Sequence, residues 1–360
     1  MNYFYLNSRK EQPLYIENKT DRDAVIQNLV NLRKTLSSAD GIPEKKLTGN
    51  LILGTWNIRE FGNSKYEGRM TESLYYIAEI ISRFDLIAIQ EVRDNLADFN
   101  SVHKILGNDW GTFISLVTDG VSGNKERMAF LYDKRTVSFK NIAGQIILPG
   151  ENYENAFARA PYMIRFQSGW LKFDICTTHI YYGKASKTSP EYKRRVQEIS
   201  DLGSFLKKNY VEKERSNNLF ILGDFNIEDN KSPTYDAAIS SGFTIPNAIL
   251  KNKLPGSNVS QDKIYDQILY YNKYNDVTFK NAGIFNFYKT VFKDLKTYSA
   301  RVNKHVKKPI ESDKDFKDFK TYQMSDHLPL WVEMNTDHAE SYLGMIMNKP
   351  ELAREETEKP

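Results

Sequence analysis

A single cysteine, Cys176, rules out an internal disulfide in this 360-residue chain and fits a reducing compartment. Its place inside the apolar run FDICTTH marks it as a small buried strand residue. MNYFYLNSRKEQPLY lacks the unbroken apolar core of a secretory signal, and no stretch approaches the roughly 18 apolar residues of a membrane span. A soluble, cytoplasmic protein without a membrane partner is therefore the expectation. A strong charge of either sign is also missing: 50 Lys and Arg against 46 Asp and Glu leave +4, which neither requires nor excludes a polyanionic partner. The 22 Tyr and 20 Phe recur at no fixed period, so a repeat array is not indicated. Histidine is scarce too, at five residues, which draws attention to where each one falls.

What is present is an apolar fraction of 40%, ample for a sizeable core, and a dispersed set of apolar runs that end in chemically useful residues. They read LILGTWN (51–57), DLIAIQE (85–91), FDICTTH (173–179) and LFILGDFN (219–226); in SDHLPLWVEM (325–334) the polar pair precedes the run. Ligand-binding residues collect where strands run out into loops. These ends would gather Asn57, Glu91, His179, Asp224, Asn226, Asp326 and His327 in one cleft. Carboxylates and amides suit a hard cation, and two histidines suit proton transfer, which together serve phosphodiester hydrolysis.

Residues 1–48 read as an N-terminal extension with one helix, in which Val25, Leu29, Leu32 and Leu36 stand at helical spacing. Residues 49–335 read as the main domain and 336–360 as a polar C-terminal tail, loose at LAREETEKP. Met70, Leu74, Ile77, Ile81 and Phe84 predict a helix after the first strand. A second is expected at 190–209, with Ser189 as cap, Pro190 in the first turn and Tyr192, Val196, Ile199, Leu202 and Leu206 as its buried stripe. MAFLYDKRTVSFKNIAGQIIL and YMIRFQSGWLKFDICTTHI read as successive antiparallel strands. Residues 272–320 show no clear strand pattern and include the basic run RVNKHVKK (301–308). The whole reads as an α/β sandwich of sheets packed face to face with helices outside.

Asp224 and Asn226, two apart after a buried run, would point to one side of an extended chain and address one phosphate or one water; an Asx turn closing the strand is the alternative. Glu91 ends an otherwise apolar run, where a buried acid needs a cation or hydrogen bonds. Mg²⁺ would meet that need, with Asn57 and Asp326 as further oxygen ligands. His179 and His327 each need a carboxylate to hold one tautomer. His103, His305 and His338 lie in polar surroundings and carry no such expectation.

In order and local wording, NIREFG (57–62), QEVRD (90–94), KERMAFLYD (125–133), TTHIYYG (177–183), GDFN (223–226), YDQI (265–268) and SDHLP (325–329) resemble the endonuclease/exonuclease/phosphatase superfamily, and within it the deoxyribonuclease I branch. The resemblance spans about residues 50–335. It implies a four-layer α/β sandwich of two packed, mainly antiparallel sheets flanked by helices. It also implies a Mg²⁺- or Mn²⁺-dependent cut of DNA, probed with little sequence specificity, that leaves 5′ phosphate and 3′ hydroxyl ends. Carried onto this chain, His179 pairs with Glu126 and His327 with Asp266. Glu91, Asp326 and Asn57 hold the metal, while Asp224 and Asn226 position the water and the scissile phosphate. Arg59, Arg93 and Arg165 become DNA contacts, on double-stranded DNA as the expected partner.

The chain departs from that branch at Asn124, which stands where an aromatic would pack against a sugar, and in about twenty more residues than the family would place between YDQI and SDH. A phosphodiesterase or phosphatase of the same superfamily acting on phospholipid or inositol phosphate is the alternative, since it shares GDFN, SDH and a TTH-type histidine. A binding module that has lost catalysis is disfavoured, because each acid–base and metal position holds a competent residue.

Overall fold

The structure, a computed structural model, describes residues 1–7, 14–117, 124–148, 157–274 and 277–347. LAREETEKP lies outside these. In chain order the regular elements are α1 (Lys19–Leu36), β1 (Asn50–Phe61), α2 (Thr71–Ile81), β2 (Leu86–Val92), α3 (Ala97–Leu106), β3 (Trp110–Ile114), β4 (Arg127–Asp133), β5 (Ser138–Gln145), β6 (Tyr162–Ser168), β7 (Leu171–His179), α4 (Pro190–Leu206), β8 (Asn218–Asp224), α5 (Pro233–Ser240), α6 (Asn247–Asn252), β9 (Asp266–Asn272), β10 (Phe279–Ile284), α7 (Leu295–His305), α8 (Asp313–Gln323), β11 (Leu330–Asn335) and α9 (Ala339–Met347). Among the described residues no helix is long and apolar enough to cross a membrane.

The strands form two sheets, ordered β10-β11-β1-β2-β4-β3 and β5-β6-β7-β8-β9. Each has one parallel pair, β1 with β2 and β7 with β8, and is otherwise antiparallel. Alternation along the strands builds the layers. Leu51 and Leu53 of β1 meet Phe173, Phe220 and Leu222 of the other sheet, while Ile52, Trp56 and Ile58 face the outer helices. On the far side Cys176 and Ile221 pack under Ile199, Leu202 and Leu206 of α4. Helix, sheet, sheet, helix is the four-layer α/β sandwich expected from the sequence.

Local expectations fare unevenly. Val25, Leu29, Leu32 and Leu36 are buried in the core shared with α2, so the N-terminal extension is packed onto the first sheet. Ser189 caps α4 by accepting from the Tyr192 amide, and the helix ends at Leu206 before a short wider-wound turn over Lys207–Val211. β4 and β5 are not partners: the chain crosses from one sheet to the other between them, because β4 pairs with β2 and β3 whereas β5 pairs with β6. The segment 272–320 holds an edge strand, β10, whose polar KNAG hides it, and two helices anchored by Tyr298 and Val302 and by Phe316 and Phe319. Within the expected polar tail, α9 forms.

The basic run starts in α7, and three of its cations have acidic partners. Arg301 pairs with buried Glu72 at 3.0 Å, Lys304 with Asp21 at 2.9 Å and Lys307 with Glu67 at 3.2 Å, while His305 Nε2 lies 3.0 Å from the Gly68 carbonyl.

Candidate active site

Strand register assembles one half of the site. Across the second sheet, His179 of β7 stands level with Asp224 of β8, and Asp224 with Asp266 of β9. Gly223 makes this approach possible: at φ +143 a Cβ there would lie 1.9 Å from the Thr178 carbonyl oxygen, so a side chain would push the ends of β7 and β8 apart. The first sheet supplies the other half. Asn57 lies inside β1 beside β2, just before the pairing slips between Asn57 and Phe61, and Glu91 takes a left-handed conformation, φ +61, that turns it off the strand.

The side chains converge on Asp224. Its Oδ2 accepts from Asn57 Nδ2 at 3.0 Å and lies 3.5 Å from His179 Nε2 and 3.7 Å from His327 Nε2. Each histidine carries a second carboxylate on its other nitrogen. Nδ1 of His327 shares a 2.7 Å hydrogen bond with Asp266 Oδ2, and Nδ1 of His179 is 3.0 Å from Glu126 Oε2. Both rings are nearly buried, so these contacts act in a medium that screens charge poorly.

Electrostatics follow from that burial. Burial alone would lower His327, but Asp266 and Asp224 outweigh it and push the imidazole well above its usual range. Burial would raise Glu126, but His179 and Arg159 together hold its carboxyl at about 2. Glu91 is pushed up by burial, reinforced by the charges of Glu126 and Asp326 and partly offset by His179. Its two oxygens accept from Asn57 Nδ2 at 3.0 Å and from the Glu60 amide at 2.7 Å. The donor set fits a hard divalent cation. One ligand atom from each of Glu91, Glu126 and His179 lie within 4.8 Å of one another, and the buried Asn57 Oδ1 has no hydrogen-bond partner among the described residues. Because Glu126 already serves His179 and Arg159, Glu91 and the neighbouring Asn57 Oδ1 are the oxygens best placed to meet such an ion. Asp326 is half exposed beside them.

Asn226 does not extend toward the cleft as the two-residue spacing suggests. It adopts φ +53, its amide N–H donates to Asp224 Oδ1 at 2.9 Å, and its Nδ2 donates to the Ile180 carbonyl at 2.8 Å. It fixes Asp224 and the chain after His179 through an Asx turn. Arg93 lies at the cleft, donating to the Asn124 carbonyl at 2.6 Å with a nitrogen 3.7 Å from Glu126. Arg59 reaches within 3.9 Å of Asp326 and is otherwise held by α8. Arg165 is not brought to the site. It is tied bidentately to Asp174 at 2.8 Å, five residues before His179 on β7, and also donates to the Arg215 carbonyl.

Other residues in the arrangement went unmarked in the sequence. Arg159 places Nε 2.5 Å from Glu126 Oε2, giving that carboxylate a second cation. Ser325 Oγ donates to the Asn57 carbonyl at 2.6 Å and accepts from the amides of Arg59 and His327, which pins the SDH turn to β1. Trp56 Nε1 adds a bond to the His327 carbonyl at 2.9 Å. Ser325 was visible as part of a motif, whereas Arg159 sits in an irregular stretch with no pattern to mark it.

The family model described as "Endonuclease/Exonuclease/phosphatase family" matches residues 54–293, two-thirds of the chain. The chain belongs to this family. Among curated proteins, chicken (Gallus gallus) deoxyribonuclease-1 is 25% identical over 197 residues, 51% of this chain and 63% of that protein. Deoxyribonuclease gamma of Rattus norvegicus is 27% identical over 49% of this chain and 56% of its own length. The chain thus spans somewhat over half the length of these relatives. Two solved structures share the fold at a TM-score of 0.52 and 17% identity: a family member from Bacteroides thetaiotaomicron, matched over 80% of this chain and 95% of that one, and the human Nocturnin catalytic domain with bound sulfate, over 81% and 96%. D. rerio TDP2 complexed with single strand DNA product aligns at 0.52 with 13% identity, over 80% and 99%.

Proposed function

We propose that this protein is a divalent-metal-dependent endonuclease that hydrolyses DNA phosphodiester bonds with little sequence specificity, leaving 5′ phosphate and 3′ hydroxyl ends. One observation carries the reading. Two histidines, one from each sheet, direct Nε2 at the same Asp224 oxygen, and each has a carboxylate at Nδ1. A pair of that kind is a proton-transfer unit, because the carboxylate fixes the tautomer and stabilises the imidazolium. Two such pairs on one locus suit in-line displacement at phosphorus, where a proton leaves the attacking water and another reaches the departing oxygen.

In the reaction a water oxygen bonds to phosphorus as the bond from phosphorus to the 3′ oxygen breaks. One histidine takes the water proton, the other protonates the 3′ oxygen, and Asp224 orients the water between them. Asn57 Nδ2 and the Asn226 amide hold Asp224 in place. Mg²⁺ or Mn²⁺, when bound by Glu91 with Asn57 and Asp326 nearby, supplies charge stabilisation to the phosphoryl oxygens. Arg93, at the rim beside Glu126, is placed to meet a backbone phosphate, a contact that reads charge and not sequence. The names of the deoxyribonuclease relatives support DNA over lipid or sugar phosphates as substrate.

The ends and the substrate are tested together. Supercoiled plasmid nicked by the purified protein should be resealed by a DNA ligase, which needs a 5′ phosphate beside a 3′ hydroxyl. Nicks that ligase cannot seal would refute the proposed ends, and turnover of sphingomyelin or an inositol phosphate with plasmid left intact would refute the substrate.

A further inference from the structure

Arg59, Lys65 and Tyr66 direct three donors at a single surface carboxylate. Asp318 Oδ2 accepts from Lys65 Nζ at 3.0 Å and from the Tyr66 hydroxyl at 2.6 Å, and its Oδ1 lies 3.4 Å from Arg59 Nη1. The Tyr322 ring forms a floor, with the Arg59 guanidinium 3.8 Å and the Lys65 ammonium 4.1 Å from its centroid. The Thr321 hydroxyl fixes the same guanidinium. The cluster opens to solvent: the side chains of Asp318, Lys65 and Arg59 are 43%, 46% and 24% exposed. It is continuous with the catalytic cleft, since Arg59 stands two residues past Asn57 on β1 and its Nε is 3.9 Å from Asp326, the neighbour of His327.

A planar guanidinium, an ammonium and a phenol around one pair of oxygens form a receptor for the two free oxygens of a phosphodiester as well as for a carboxylate. The Asp318 contacts are solvent-screened ion pairs, individually weak, so they give way to an oxyanion anchored elsewhere by a second set of contacts. A DNA strand held at the histidines is such an anion. Asp318, Thr321 and Tyr322 all lie on α8, between YDQI and SDH.

We infer that Arg59, Lys65 and Tyr66 form a phosphate subsite for a DNA phosphodiester flanking the scissile one, and that Asp318 occupies it in the free protein. The inference rests on the nuclease reading above. Asp318 then has two effects: it keeps the donors assembled and it competes with the substrate.

The test is fluorescence anisotropy of a labelled DNA duplex with the full-length protein in chelator, across a salt series. Asp318→Asn should tighten binding about 3- to 10-fold and steepen the slope of log affinity against log salt by about one, the value for one more phosphate neutralised. Lys65→Ala should weaken binding by a similar factor and flatten the slope by about one. Shifts in opposite directions exclude misfolding as their common cause. Asp313→Asn removes the same charge from an exposed position in the first turn of α8 outside the cluster, and should leave the slope unchanged. Weakened binding by Asp318→Asn, or equal effects of Asp318→Asn and Asp313→Asn, would overturn the subsite. If wild type nicks plasmid while Asp318→Asn binds as wild type does, the subsite alone falls. If wild type neither binds nor cuts DNA, the nuclease reading falls and takes the subsite with it.

Discussion

His179 and His327 are joined through Asp224, so they act as a unit and their losses should not add. Replacing either with alanine should lower the initial nicking rate about 10²- to 10⁴-fold, and replacing both should lower it little further. Glu198 of α4 supports the same unit from behind. Its buried carboxylate accepts from the Ala158 amide at 2.8 Å and the Tyr181 amide at 3.1 Å, holding the segments that carry Arg159 and follow His179. Burial raises its pKa from the usual 4.5 to about 7, against the pull of those amides. The folded chain therefore binds this proton more tightly than the unfolded chain does. The stability Glu198 contributes is fully present below about pH 4.5 and lost as pH rises toward 7, by about 3 kcal/mol. Urea unfolding at pH 5 and pH 8 should show Glu198→Gln destabilised at the lower pH and gaining relative to wild type at the higher. An unchanged difference between the two pH values would refute the buried titration. These residues differ in how visible they are in sequence. Asp224, Glu91 and His179 show because a polar group interrupts or closes an apolar run. Arg159 and Glu198 do not, because they act through backbone amides and distant partners that only the folded chain brings near, and Ser325 shows only as a member of the SDH motif.

Among the elements, α1, α2 and α7 clamp one another on the first sheet. Leu32 of α1 is fully buried in their common core, so Leu32→Ala should cost about 3 kcal/mol in chemical denaturation. Arg301 of α7 neutralises Glu72 of α2, whose side chain is 2% exposed. Arg301→Ala strands that charge and should also cost about 3 kcal/mol, whereas Arg301→Ala combined with Glu72→Gln should recover much of the loss. Helices with a continuous apolar stripe, α1, α2 and α4, were legible at the sequence level. The later helices were not, because α7 buries only Tyr298 and Val302 of its eleven residues. β10 was missed since its only buried residue is Ala282. Arg165 misled for another reason: MIRF reads as a strand, but nothing local tells that its arginine faces Asp174, far from the strand end where His179 lies.

At the scale of the whole molecule, the two sheets act as one device because neither holds the site alone. The first contributes Asn57, Glu91 and the turn bearing His327, the second His179, Asp224 and Asp266. The four-layer arrangement was legible because strand ends with chemical groups and the local motifs pointed the same way. The distribution of charge was not. A net +4 left the partner open and the basic run at 301–308 showed no pattern of its own, whereas in the fold Arg301, Lys304 and Lys307 are engaged by acids of the same chain. Affinity for DNA should then come from the cleft and its rim, and nicking should slow as salt rises. The most direct measurement is the conversion of supercoiled plasmid to the nicked form by purified protein in Mg²⁺, by the same protein in excess chelator, and by folded His327→Ala in Mg²⁺. Nicking confined to the wild-type protein with Mg²⁺, with the variant about 10²-fold or more slower, is the outcome expected of a metal-dependent histidine pair centred on Asp224. Equal nicking in all three would contradict it.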